Sequence, residues 1–138
     1  MTRRMLAGLA VALLVAQATG AADTPEQAAT KSAEAFLALV DKGRYDESWD
    51  AAAKLFQGAV TREKWKEALT ATRIPLGKLV SRSLKVAKHT TSLPGAPDGQ
   101  YVVVQFATSF ENKKEAIETV TPMQEKDGSW RVSGYFIR

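Results

Sequence analysis

The chain has 138 residues, with 19 basic and 15 acidic side chains, one histidine and no cysteine. That composition excludes disulfide frameworks and thiol chemistry, and with a single imidazole it offers no nitrogen and sulfur ligand set for zinc; no metal and no cofactor is expected. The basic excess is too small to indicate a nucleic-acid partner.

The first segment reads as a secretory signal. Met1-Thr2-Arg3-Arg4 is basic, Met5 to Ala16 is an uninterrupted apolar run, and Gln17 to Ala22 ends in small side chains. The apolar run falls short of the roughly 20 residues needed to span a bilayer. Cleavage after Ala22 is expected, leaving residues 23–138 as a single domain in the bacterial periplasm or the medium, with no lipidation cysteine and no transmembrane anchor. Arg3 and Arg4 leave with the signal, so the mature chain carries 17 basic against 15 acidic residues, a formal charge of +2.

The first half of the mature chain has helical periodicity. Thr24-Pro25-Glu26-Gln27 supplies a capping hydroxyl, proline at the first helical position and glutamine at the third. Ala29, Ala33, Phe36, Leu37 and Val40 follow at helical spacing, and Gly43 provides a stop. Tyr45, Trp49, Ala52, Ala53 and Phe56 predict a second helix ending at Gly58. Thr61 caps a third, carrying Trp65, Ala68, Leu69 and Thr72, which Pro75 ends.

The second half changes period. Leu79 to Lys88 reads as a strand with a parity break between Leu79 and Leu84, which predicts a bulge or an edge position. Residues 93–99, rich in proline and glycine, form a loop. From Gln100 to Phe110, Val102, Val104, Phe106 and Phe110 share one parity, as in a half-buried strand. Glu115 to Gln124 puts Ile117, Thr119, Thr121 and Met123 on one side. Pro122 is expected at an edge, a bulge or a strand end. Asp127-Gly128 turns the chain into a last strand, Trp130 to Ile137.

Three helices followed by four strands predict an α+β domain, with the helices packed on one face of a four-stranded antiparallel sheet. The blocks ALVDKGRYDESWDAA, RIPLGKLVSR, LPGAPDGQYVVVQFATSFENKKEAIETVT and DGSWRVSGYFIR resemble the bacterial domain-of-unknown-function family 4019, from about Ala33 to Arg138. The resemblance implies a small exported bacterial domain and brings no catalytic or binding residues with it. The element order is also similar to the conical nuclear-transport-factor-like and cystatin-like folds.

Chemistry is sparse. RIPLGKLVSR contains a Gly77-Lys78 pair, but the spacing and the helix-to-strand order do not make a phosphate loop. No serine has a nucleophile elbow, and His89 is the only imidazole available to a triad. A carboxylate and tyrosine pair, Asp46 or Asp50 with Tyr101 or Tyr135, would suit acid–base chemistry. Tyr45, Trp49, Trp65 and Tyr101 are candidates for lining a cleft, with core packing as the alternative for the helical aromatics Tyr45, Trp49, Phe56 and Trp65.

The clearest charge feature is the acid-free interval between Glu67 and Asp98, which contains Arg73, Lys78, Arg82, Lys85 and Lys88. It is a candidate surface for an anionic envelope component or an acidic protein, or a set of cations guarding an edge strand. Period-2 alternation sends Lys78, Arg82 and Lys88 to one face and Lys85 to the other. The preferred reading is an exported, non-enzymatic binding module for an envelope partner or a small or anionic ligand. The alternatives are a small cavity enzyme using carboxylate and tyrosine, and an interaction or inhibitor module acting through the 93–99 loop. Intact-mass measurement of exported protein is expected to give a chain beginning at Asp23; a mass that retains Met5 to Ala16 would contradict the signal reading.

Overall fold

The structure, a computed structural model, describes residues 21–138. Apart from Ala21 and Ala22, the expected signal sequence lies outside the described residues. Among the described residues, four helices precede four strands: α1 (Pro25–Asp41), α2 (Tyr45–Ala51), α3 (Lys54–Ala59), α4 (Arg62–Leu76), β1 (Leu79–Thr90), β2 (Tyr101–Phe110), β3 (Lys113–Gln124) and β4 (Trp130–Ile137). The strands form an antiparallel sheet in the order β1-β2-β3-β4, and the helices cover one face.

Helix α1 starts as its sequence dictates. The Thr24 hydroxyl accepts from the Gln27 amide at 3.2 Å, and the Gln27 side chain accepts from the Thr24 amide at 3.0 Å. Its apolar stripe, Ala29, Ala33, Phe36, Leu37 and Val40, is buried against the sheet. Residues 45 to 59 depart from the expected single helix. Ala52 and Ala53 are extended, and Ala53 donates to the Val132 carbonyl at 2.8 Å, tying the chain to β4.

That tertiary bond overrides the helix propensity of the alanine pair. Gln57 then donates to the carbonyls of Trp49 and Asp50 at the end of α2, adding to the bond that Trp49 already accepts from the Ala52 amide. Gly58 lies inside the last turn of α3 and does not terminate it. Helix α4, capped by Thr61, buries Trp65, Leu69 and Arg73, while Ala68 and Thr72 face outward. It continues one residue past Pro75, and Asn112 satisfies the terminal carbonyls by donating to Pro75 and Leu76.

Strand β2 has the predicted parity, with Val102, Val104, Phe106 and Phe110 facing the helices. On β3 the inward set is Ala116, Glu118, Val120 and Pro122, so Ile117, Thr119, Thr121 and Met123 occupy the outer face. Pro122 stands at a register shift in the β3–β4 ladder, where its missing N–H is tolerated. Strand β1 is an edge strand with two irregularities, at Val80 and at Lys85.

The bulge at Lys85 advances the parity by one residue. Arg82, opposite Thr108, faces inward, whereas Lys88, opposite Val103, faces outward. The expectation that Arg82 and Lys88 share a face therefore fails, because simple alternation does not survive an inserted residue.

The core between helices and sheet is filled by rings. Trp65 meets Phe56 edge-on with centroids 4.8 Å apart, and Phe36 and Tyr135 complete the cluster. The Trp65 indole donates to Ser48, whose hydroxyl donates in turn to the Tyr45 carbonyl. Gly77 makes the corner from α4 to β1 at φ 74° and ψ −161°, a conformation essentially reserved for glycine. A Cβ there would lie 3.0 Å from the Glu111 Cβ. Gly77→Ala is expected to lower unfolding free energy by about 2–3 kcal/mol in urea titrations, from backbone strain and the clash together; a change within ~0.5 kcal/mol would contradict this account.

Candidate functional site

One inward residue from each strand meets two helix ends in a buried polar cluster. Arg82 comes from β1, Thr108 from β2, Glu118 from β3 and Tyr135 from β4; Asp41 closes α1 and Arg73 stands in the last turn of α4. Glu118 has no exposed surface, and three donors converge on it: Arg82 Nε at 2.7 Å, the Thr108 hydroxyl at 2.6 Å and the Tyr135 hydroxyl. Asp41 receives Arg82 Nη1 at 2.7 Å, Arg82 Nη2 at 3.0 Å and Arg73 Nη2 at 2.8 Å.

In formal charge the two carboxylates and the two guanidiniums of the cluster balance. Glu118 accepts from a guanidinium and two hydroxyls, so its buried carboxylate is hydrogen-bonded at both oxygens. Burial would raise the proton affinity of Asp41, but the hydrogen bonds and charges of Arg82 and Arg73 outweigh it and hold its carboxyl below the usual aspartate range. Burial likewise works against the Arg82 cation and is overcome by Asp41 and Glu118. For Tyr135, burial and then the neighbouring Glu118 anion push the phenol well above its ordinary value, so it remains a protonated donor.

A groove of about 350 Å³ lies over this end of the fold, lined by residues including Asp41, Lys42, Tyr45, Arg73, Lys78 and Glu111. Arg73 is 6% exposed, and its guanidinium stacks over the Phe110 ring at 4.8 Å. Its Nε and Nη1 are buried without a hydrogen-bond partner among the described residues.

The acid-free interval is not one surface. Arg73 and Arg82 turn inward to carboxylates 32 to 41 residues away in sequence, leaving Lys78, Lys85 and Lys88 exposed. Lys78 sits at the groove beside Glu111, Lys85 at the bulge and Lys88 on the outer sheet face.

The four aromatics proposed for a cleft have separate settings. Tyr45 lines the groove, and Trp49 donates to the Val60 carbonyl with Arg62 over its ring. Trp65 is core, and Tyr101 is buried beneath the 93–99 loop, donating to Pro97. Asp46 and Asp50 face outward toward Lys66 and Arg62, so neither pairs with a tyrosine. The carboxylate that does meet a tyrosine is Glu118. Its signal was its place in Ala116-x-Glu118-x-Val120-x-Pro122, one charge on an otherwise apolar strand face.

This arrangement defines an α+β domain with its helices on one face of a four-stranded antiparallel sheet. Its backbone is similar to that of a "putative ketosteroid isomerase" from Shewanella frigidimarina NCIMB 400, with a TM-score of 0.53 and 18% identity over 83% of this chain and 97% of that one. At that identity the likeness concerns the fold alone. The chain belongs to the DUF4019 family, described as a protein of unknown function, whose sequence pattern matches residues 32–135. Among curated proteins, no relative matches.

Removing the Asp41 carboxylate would leave two guanidiniums facing a neutral amide in a largely buried site. Asp41→Asn is expected to cost about 3–5 kcal/mol of stability at neutral pH. Because the Asp41 proton affinity is lowered on folding, its contribution is present above the ordinary value near 3.8 and is lost as the pH falls through the lower folded value. Urea unfolding from pH 7 to pH 2 should therefore show a shallower acid loss in Asp41→Asn than in the wild type; parallel curves would contradict the assignment.

Proposed function

We propose that this protein is a non-enzymatic binding domain, exported to the bacterial envelope, that engages a small ligand or partner through the groove at the polar end of the fold. The observation that supports this most directly is the state of Glu118. The carboxylate best placed for acid–base work has no exposed surface, three donors and a compensating guanidinium. A general base must reach its substrate's proton, and this one is enclosed by its own partners. The rings of Phe36, Phe56, Trp65 and Tyr135 occupy the interior where a cavity enzyme would hold substrate.

Export is supported by the basic, apolar and small-residue succession of residues 1–22. The competing reading is acid–base catalysis. It rests on the Glu118–Tyr135 contact and on the fold shared with the putative ketosteroid isomerase. The two readings separate in one comparison. The wild type is expected to leave a 3-oxo-Δ5-steroid unchanged when enone absorbance is followed, while native mass spectrometry of protein taken from the envelope shows an added mass released on denaturation. Enone formation that falls at least about 100-fold in Tyr135→Phe would overturn the binding reading in favour of catalysis.

A further inference from the structure

We propose that the groove above Arg73 is a site for an amphiphilic monoanion, with an oxyanion head group at Arg73 and an apolar chain along Ile74 and Tyr45. The starting point is the incomplete partnering of Arg73. It carries five N–H donors, and one nitrogen, Nη2, meets Asp41 at 2.8 Å; Nε and Nη1 are buried and have no acceptor among the described residues. A guanidinium 94% removed from solvent is ordinarily paired at all its nitrogens, because stripping water from a donor that gains no acceptor is costly. Stacking on Phe110 satisfies the face of the ion and leaves its N–H edges unmet. Asp41 already accepts three hydrogen bonds, two from Arg82 and one from Arg73, and none of them reaches Nε or Nη1 of Arg73.

Charge sets the class of ligand. Around the cluster and groove stand the cations Arg73, Arg82, Lys42 and Lys78 against the anions Asp41, Glu118 and Glu111. One positive charge is uncompensated, which a carboxylate or a phosphodiester would balance. Glu111 is partly committed, because it accepts from the Lys78 amide at 2.7 Å. The rim also exposes Ile74 at 66%, an apolar surface next to a cationic floor, and Tyr45 is half-buried on the groove wall. A volume of about 350 Å³ suits a small molecule. Lys42 and Lys78, both exposed, stand on the groove with Arg73, so an arriving anion meets them first.

This inference rests on the binding reading above and locates it. The test uses hexanoate and dibutyl phosphate as probes, hexanol as the uncharged control, and amide chemical shifts of the folded protein as the readout. Hexanoate or dibutyl phosphate is expected to shift Gly43, Ile74 and Gly77 and the Arg73 side-chain N–H saturably, and hexanol is not. Whichever anion binds more tightly assigns the head group. The rim variant Lys42→Gln with Lys78→Gln leaves the Arg73–Asp41 pair intact and should weaken binding about tenfold, while Lys85→Gln should leave it unchanged. No saturable shift up to the solubility limit of either anion, shifts confined to the Lys85 and Lys88 segment, or equal binding by the rim variant would each overturn the site. Those results leave a binding role elsewhere open, whereas steroid turnover would overturn the binding reading independently of this titration.

Discussion

The carboxylate of Asp41 is shared by two guanidiniums, one from a helix and one from the sheet, and the tertiary structure depends on that sharing. Asp41 lies at the C-terminal end of α1, where the helix dipole disfavours an anion. Arg73, in the last turn of α4, is placed where the dipole favours a cation, and Arg82 arrives from an edge strand. Their combined field holds Asp41 ionised at an otherwise unfavourable position. Arg82 carries the link onward to Glu118, and Glu118 to Thr108 and Tyr135. Two helices and all four strands are joined through six side chains.

Such a network is a poor source of net stability, because desolvation of the ions offsets much of their attraction; its effect is on uniqueness. The aromatic core would accept small displacements of α1 or α4 with modest loss. A bifurcated guanidinium with both neighbours fixed would not, since its hydrogen bonds fail once geometry drifts. The apolar cluster thus supplies the main driving force, and the ionic end sets the position of the helices relative to the sheet.

Much of the fold was legible because it is encoded locally. The capping box at Thr24, the parity of β2, the edge irregularity of β1 and the turn at Gly128 each depend on neighbouring residues. The break at Ala52–Ala53 was not legible: two strong helix formers are pulled straight by a carbonyl 79 positions later, at Val132. The polar cluster escaped for the same reason. An interval without acids reads as a basic surface until the chain folds and brings Asp41 and Glu118 to it. Glu118 did leave a trace, as a charge on the buried parity of β3, but the choice of which parity faces inward depends on the sheet's neighbours.

The bulge at Lys85 has a wider consequence for how this sequence can change. It divides β1 into two segments whose side-chain orientation is decoupled: residues 79 to 84 keep Arg82 aimed at the ionic cluster, and residues 86 to 90 are set independently against the far half of β2. Losing one residue there would turn one segment over while leaving strand pairing possible, either expelling Arg82 from the interior or exchanging the outward Lys88 for an inward cation. An edge strand is usually the part of a sheet most tolerant of length variation. Here a single residue works as a phase setter, and the strand's length is fixed by an ion pair on the opposite side of its backbone.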